Sequence, residues 1–295
     1  MSIVNGIFTA ILTAFDSDGH INEAGQRALV RHIIDHNHTD GIFVGGTIGE
    51  RYKLTTAMLK ELFAICMDEA NGAVKMLANI SALSEEETFE LGQEARRLGY
   101  DAVGMIPPFF HTYSQAEIVA YYKYIADHIE LPLMIYVIPS FSGVQFSEAM
   151  LVELLRYPGI KGIKYTHNDY YTLDRVRVNC PDSTLFTGFD DVLFHALAMG
   201  TDGAIGGTFN ITGLFAKKLY EAIKAGDLKK ALVYQRNIND IEDMLNETGL
   251  FTTLKCTVQA MGIECGDQRR PSLPSTPAQH EQARKIVAFI REHQG

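Results

Sequence analysis

A lysine near the end of a short apolar segment is the residue of this sequence best placed to do chemistry. The segment reads IKGIKYT, residues 160–166, and its alternation puts Lys164 and Thr166 on the same face. A lysine is rarely buried unless it is paired or used, and burial disfavours the charged form of its amine. The neutral amine is the form that attacks a carbonyl carbon. We therefore interpret Lys164 as a candidate Schiff-base nucleophile.

The alternative for a strand lysine is an outward position, paired with a carboxylate on a covering helix. Lys161 has the opposite parity to Lys164 and fits that description. The sequence thus offers one lysine for each face of the same strand.

Two hydroxyl side chains could assist such a lysine. Tyr136 lies near the end of the apolar segment LPLMIYVIP, residues 131–139. Its hydroxyl either completes a core hydrogen bond or, beside a reactive lysine, carries a proton. The turn GGTIGE supplies the hydroxyl of Thr47 and the amides of Thr47 and Ile48, which together can face an anion. A plain connection between a strand and a helix is the alternative for that turn.

Short apolar segments alternate with longer amphipathic ones about eight times along the chain, which predicts eight strand–helix units. Strands are predicted at residues 7–15, 41–46, 74–80, 101–107, 131–139, 160–166, 184–189 and 203–207. Only helical patterns follow, at residues 213–224, 227–247, 250–262 and 276–293.

This arrangement predicts an α/β fold, a (β/α)8 TIM barrel over residues 1–224 with a C-terminal helical extension over 225–295 packed on the barrel. In such barrels the catalytic residues lie at the C-terminal ends of the strands. A helix is predicted to begin after Ser84, because acidic residues follow in its first turn.

The composition limits the partners of the protein. The chain has 295 residues, 46% of them hydrophobic, and a formal net charge of -10, which argues against nucleic acid or an anionic membrane as a partner. Its four cysteines form no CxxC pair, and this favours a reducing, cytoplasmic location. The apolar start is not typical of a signal peptide, and no segment is long enough to span a membrane. We expect a small-molecule substrate.

The motifs GGTIGE, YVIPSFSG and GIKYT, in this order, resemble those of the superfamily of N-acetylneuraminate lyase and dihydrodipicolinate synthase. These are class I pyruvate-dependent aldolases on a (β/α)8 barrel, and the resemblance covers essentially the whole chain. It implies that Lys164 forms a Schiff base with pyruvate, that Tyr136 transfers protons, and that Thr47 and its neighbouring amides hold the pyruvate carboxylate. It also implies a homotetramer that needs no metal and no other cofactor.

Within the superfamily, the chain is more similar to the lyase branch. The synthase branch has an arginine for a second substrate carboxylate where this sequence has Phe141. The stretches GFDD, GTFNITG and TGLFTTLK are similar to lyase motifs. The lyase resemblance implies a substrate-binding set, which consists of Ile48, Thr166, Gly188, Asp190, Asp191, Gly207 and Phe251. It implies a contact of Phe110 with a neighbouring subunit.

Four positions depart from the lyase pattern. Ile48 replaces a hydroxyl residue and Phe110 a tyrosine, and both changes fall on the proton relay, which Tyr113 or water could then complete. Asp191 replaces a glutamate and Gly207 a serine, and both fall on contacts to the sugar chain.

The resemblance implies cleavage of N-acetylneuraminate to N-acetylmannosamine and pyruvate. The alternatives are an aldolase for a shorter 2-keto-3-deoxy sugar acid and a weakly active homologue that binds pyruvate or a sugar acid.

Overall fold

Eight parallel strands close into a barrel in the computed structural model, which describes residues 4–294. Each strand pairs with the next along the chain, and the eighth pairs with the first. The strands are β1 Gly6–Ala10, β2 Gly41–Val44, β3 Lys75–Asn79, β4 Ala102–Met105, β5 Leu133–Val137, β6 Ile160–Tyr165, β7 Thr184–Thr187 and β8 Gly203–Gly206. The predicted (β/α)8 barrel is confirmed.

Helices follow the strands and cover the outside of the barrel. Those before β8 are α1 Glu23–His32, α2 Thr56–Ala70, α3 Glu85–Leu98, α4 Gln115–Ile129, α5 Pro139–Ser142, α6 Glu148–Leu155, α7 Tyr170–Asn179 and α8 Leu193–Ala198. A π-helical turn, Ile33–Asn37, continues α1, and a 3-10 turn, Arg51–Lys53, precedes α2. The N-terminus of α3 is as predicted, because the Ser84 hydroxyl accepts a hydrogen bond from the Glu87 amide at 3.2 Å.

The first strand is shorter than its sequence pattern predicts. The apolar segment 7–15 is buried throughout, but its second half is an irregular extended chain and not a strand. Side-chain amides satisfy this backbone: the Leu12 amide donates to Asn210 Oδ1 at 3.2 Å, and the Ala14 amide donates to Gln26 Oε1 at 2.9 Å. The Leu12 and Ala14 amides are therefore buried and hydrogen-bonded without strand pairing, and an apolar pattern alone cannot distinguish this from a strand.

Four helices follow β8: α9 Phe209–Lys224, α10 Leu228–Asn246, α11 Leu250–Ala260 and α12 Pro277–His293. They pack against one another, and their bounds agree with the predicted helices to within a few residues. The division at residues 224 and 225 stays a prediction, and its outer ends, residues 1–3 and 295, lie outside the described residues. Between residues 4 and 294 no helix is both long and apolar enough to cross a membrane.

Candidate active site

A cavity of about 280 Å³ opens at the C-terminal ends of the barrel strands. It brings together all the predicted catalytic and substrate-binding residues except Phe110. The predicted residues in its lining are Thr47, Ile48, Tyr136, Lys164, Thr166, Gly188, Asp190, Asp191, Gly207 and Phe251. Two larger cavities, of about 550 and 450 Å³, have no lysine among the described residues of their lining.

Lys164 lies inside the barrel near the end of β6. Parallel pairing sets it opposite Tyr136 on β5 and Phe186 on β7, and its side chain is only 5% exposed. Its Nζ lies 4.2 Å from the centroid of the Tyr136 ring. Among residues 4–294 no carboxylate lies within 4.0 Å of this nitrogen, so Lys164 is a buried amine without an ion-pair partner. Lys161, by contrast, is exposed, as its parity predicts.

The Tyr136 hydroxyl contacts the Thr47 side chain. Its oxygen lies 3.2 Å from Thr47 Oγ1, and either group can be the donor. The Tyr136 ring packs edge-on against Phe43, with centroids 6.1 Å apart. Packing and hydrogen bonding thus hold the phenol beside the Lys164 amine.

The turn after β2 presents unused donors to the cavity. Within the described chain, the amides of Thr47 and Ile48 donate no hydrogen bond to another residue. Thr47 and Ile48 line the same cavity as Lys164, so these two amides and the Thr47 hydroxyl are donors close to the lysine. Successive free amides in a turn bind anions well, and a carboxylate is an anion of suitable size.

A buried ion-pair network holds that turn in place. Glu50 has a left-handed backbone conformation, with φ of 61°, and its carboxylate accepts from Lys53 Nζ at 3.0 Å and from Lys255 Nζ at 3.3 Å. It also accepts from the Arg269 amide at 3.0 Å. Burial lowers the pKa of Lys255, and the attraction of Glu50 opposes that shift. The network ties the turn to α11, since a buried lysine and a buried glutamate each need the other.

Gly188 allows a close approach to the nucleophile. A Cβ at this position would lie 1.9 Å from Thr166 Oγ1 and 3.2 Å from Lys164 Cε, so no larger residue fits. The Thr166 hydroxyl itself is buried and has no hydrogen-bond partner between residues 4 and 294. Glycine at 188 therefore leaves a free hydroxyl beside the lysine.

Asp190 is a buried carboxyl with one satisfied oxygen. Its Oδ2 accepts from the amide and from the hydroxyl of Thr208, both at 2.7 Å. Its Oδ1 is buried and has no partner among the described residues. Burial raises the pKa of Asp190 to about 6, whereas the bonds from Thr208 and the charge of Lys164 favour its ionised form. Asp191, the next residue, is exposed at the cavity.

Ile48 and Gly207 face each other across the cavity. A Cβ on Gly207 would lie 3.5 to 3.7 Å from atoms of the Ile48 side chain, which is ordinary van der Waals contact. Ile48 is 7% exposed, and its side chain lines the same cavity as Lys164. The Ile48 side chain thus lies next to the space that a side chain at position 207 would occupy.

Phe110 is the predicted site residue that the structure does not place in this cavity. It is 80% exposed and lines a second cavity of about 450 Å³, which also includes Thr47 and Tyr136. Exposed Leu83 and Phe141 line that cavity too. Tyr113, the suggested replacement in the relay, lines only a third cavity farther out.

Sequence reasoning missed one acidic residue of the cavity. Glu242 on α10 lines the cavity with Asp190 and Asp191, although it is distant from both in sequence. One signal was present: Glu242 lies four residues after buried Ile238 and three before buried Leu245, on the apolar stripe of its helix.

The chain matches the model of the dihydrodipicolinate synthetase family over residues 3–292. It is 40% identical over 284 residues to an N-acetylneuraminate lyase of Clostridium perfringens, covering 96% of this chain and 98% of that protein. It is 38% identical over 289 residues to an N-acetylneuraminate lyase of Actinobacillus pleuropneumoniae, covering 98% and 99%.

The chain is also similar to solved structures in both sequence and fold. The CdNal protein of Clostridium difficile, in complex with mannosamine, is 36% identical, with a TM-score of 0.94 and coverage of 97% of this chain and 98% of that one. The N-acetylneuraminate lyase of Fusobacterium nucleatum, complexed with pyruvate, is 35% identical, with a TM-score of 0.93 and coverage of 98% and 97%.

Proposed function

The chain belongs to the dihydrodipicolinate synthetase family, and from this premise we propose that it is a class I aldolase that cleaves N-acetylneuraminate to N-acetylmannosamine and pyruvate. It is a carbon–carbon lyase of carbohydrate metabolism. The observation that carries the proposal is the Lys164 amine, which is buried beside Tyr136 without an ion-pair partner in the described chain. The lyases named above, of similar length and fold, support the choice of substrate.

The reaction begins at the Lys164 nitrogen. Its lone pair attacks the C2 ketone of the open-chain sugar acid. The Tyr136 hydroxyl gives its proton to the departing C2 oxygen, which leaves as water, so that a protonated Schiff base and a deprotonated Tyr136 oxygen remain. The substrate carboxylate next to C2 binds the amides of Thr47 and Ile48 and the Thr47 hydroxyl, which places C2 against Lys164.

The C3–C4 bond then breaks. The C4 hydroxyl gives its proton to the Tyr136 oxygen, C4 becomes the aldehyde of N-acetylmannosamine, and the bonding electrons move through C3 to the iminium nitrogen as an enamine. Return of the proton to C3 and hydrolysis of the imine release pyruvate and regenerate the free amine of Lys164. No external oxidant or cofactor enters this balance.

The remaining cavity residues bind the sugar chain in this proposal. Asp190 Oδ1 and Asp191 accept hydrogen bonds from substrate hydroxyls, and the Thr166 hydroxyl bonds near the reacting carbons. Gly188 and Gly207 provide room, and Phe251 gives an apolar surface at the outer end.

A homotetramer belongs to the same proposal. Leu83, Phe110 and Phe141 are exposed by 72%, 80% and 63% and line the second cavity, beside the active site. Exposed apolar side chains grouped in this way are typical of a protein–protein interface. We therefore place Phe110 at the contact with a neighbouring subunit. A cytoplasmic location also belongs to this proposal, and the four buried free cysteines fit a reducing compartment.

A substrate panel tests the proposed function. We expect pyruvate release, measured through coupled lactate dehydrogenase, to be faster with N-acetylneuraminate than with shorter 2-keto-3-deoxy sugar acids, because only the longer chain reaches Asp191 and Phe251. Preference for a shorter acid would select the alternative aldolase. Pyruvate binding without turnover of any acid would mean a binding protein.

Introducing at position 207 the serine of the lyase pattern should improve binding of the sugar chain. A serine Cβ fits against Ile48 at normal contact distance, and its hydroxyl adds one hydrogen bond. We expect Gly207→Ser to lower KM for N-acetylneuraminate by about threefold to tenfold, the value of one such bond. Steady-state kinetics and thermal melting measure the two effects separately.

Gly206→Ser is the matched control for this change. A Cβ at Gly206 would lie 2.4 Å from Asp190 Oδ1, so this variant should lose activity where Gly207→Ser gains it. If Gly207→Ser raises KM instead, the space beside Ile48 is needed by the substrate itself.

A further inference from the structure

We propose that Glu242 acts as a neutral hydrogen-bond donor that selects acylated amino sugars, by bonding the carbonyl oxygen of the substrate's acylamido group. This inference rests on the proposed function and adds a specificity-determining residue to it. Glu242 is on α10, in the helices that follow the barrel, and not on a strand end where barrel enzymes usually place such groups.

The position of Glu242 gives the first argument. It is half-buried and lines the same cavity as Lys164, together with Leu250 and Phe251 at the start of α11. In the described chain its carboxyl has no cationic partner within ion-pair distance, and the Thr208 hydroxyl is the hydrogen-bonding group that faces it. One neighbouring hydroxyl does not use all the hydrogen-bonding capacity of a carboxyl, so Glu242 can still bond a ligand in this cavity.

The neighbouring acids decide its protonation. Asp190 and Asp191 face it from the loop after β7, Asp243 from its own helix, and the Thr208 hydroxyl from the start of α9. Burial is the main cause that raises the pKa of Glu242, to about 9, and the charges of Asp190 and Asp191 add to it. Asp190 has two bonds from Thr208 and the charge of Lys164 in its favour, so Asp190 ionises first and Glu242 keeps its proton at neutral pH.

Chemistry then separates the roles of the three acids. An ionised carboxylate only accepts hydrogen bonds, so Asp190 and Asp191 suit substrate hydroxyls. A sugar hydroxyl can donate or accept, but the carbonyl of an acylamido group can only accept. Glu242 is the one donor of the three, and Leu250 and Phe251 give an apolar surface on which the acyl methyl can pack. A free amino sugar would instead meet these acids as a cation.

The test uses the aldol direction, with pyruvate and three acceptors: N-acetylmannosamine, mannosamine and mannose. We expect Glu242→Ala to lower kcat/KM for N-acetylmannosamine roughly tenfold, which one lost hydrogen bond explains, and to change that for mannose little. Glu242→Gln keeps a donor and should retain the preference. Asp240→Asn, an exposed acid on the same helix, is the matched control and should leave all three acceptors unchanged.

A pH series gives a second readout. Above about pH 9 the wild-type carboxyl ionises and can no longer donate, whereas the amide of Glu242→Gln does not titrate. The kcat/KM ratio of wild type to Glu242→Gln with N-acetylmannosamine should therefore fall as pH rises through 9, and groups common to both proteins cancel.

Equal losses with all three acceptors, or a ratio that does not change with pH, would overturn the role of Glu242. The proposed function would fail differently. In that case wild-type protein would turn over none of the three acceptors, whether or not borohydride traps pyruvate on it. A failed role of Glu242, by contrast, leaves wild-type turnover of N-acetylmannosamine intact.

Discussion

Replacing Lys164 by arginine is expected to abolish cleavage and to prevent covalent capture of pyruvate. Arginine keeps the positive charge but cannot form the Schiff base, so the loss should be roughly 10⁵-fold or more, the scale seen when an enzyme loses its nucleophile. The measurement is borohydride reduction in the presence of pyruvate, followed by mass spectrometry of peptides. Wild-type protein should gain one reduced pyruvyl group, on Lys164.

Lys161→Arg is the matched control, because Lys161 lies on the same strand, three residues away, but points outward and is exposed. It should keep both activity and capture. An adduct on a lysine other than Lys164, or full cleavage by Lys164→Arg, would exclude the mechanism proposed here. Loss of cleavage with a lowered melting temperature would instead indicate a packing role for the side chain.

The barrel and its lysine could be predicted because both depend on local pattern. Strands buried on both faces are short continuous apolar segments, and all eight were recognisable in this sequence. The parity of β6 then separated inward Lys164 from outward Lys161. The strand ends were less accurate, because residues just beyond a strand, such as Leu12 and Ala14, are equally buried but donate their backbone hydrogen bonds to side chains.

Long-range contacts could not be predicted in the same way. Glu50 forms an ion pair with Lys255, which is 205 residues later in the sequence. Glu242 interacts electrostatically with Asp190 because α10 packs near the end of the barrel. A sequence pattern shows that such a residue lies on an apolar stripe, but not which acid or base it faces. The resemblance to known aldolases named residues at strand ends and left Glu242 out, because none of the motifs that carry it includes residue 242.

The departures from the lyase pattern acquire a physical meaning in the structure. A side chain at 207 would contact Ile48, so the large side chain at 48 and the missing one at 207 change neighbouring parts of the cavity wall. The change at 48 leaves its amide available for the carboxylate, because the amide belongs to the backbone. Binding of a carboxylate at this turn is therefore compatible with isoleucine at 48.

Replacing Tyr136 by phenylalanine is expected to lower kcat for cleavage by about 10²- to 10⁴-fold, the contribution of a positioned proton carrier. The ring still packs against Phe43, so the melting temperature should change little. Pyruvate capture on Lys164 should persist but form more slowly, since the carbinolamine also needs proton transfer. Tyr165→Phe is the control, because that hydroxyl bonds to Asp169 O at 3.1 Å and lies on the opposite face of β6.

Thr47→Val shows whether the two hydroxyls work together. Thr47 Oγ1 lies 3.2 Å from the Tyr136 oxygen, so each single change disturbs the same hydrogen bond. If protons pass along this pair, the double variant should be little worse than Tyr136→Phe alone, since contacting residues are not additive. Fully additive losses would mean that Thr47 only binds the carboxylate. Near-normal kcat in Tyr136→Phe would mean that the substrate carboxylate or water carries the proton instead of Tyr136.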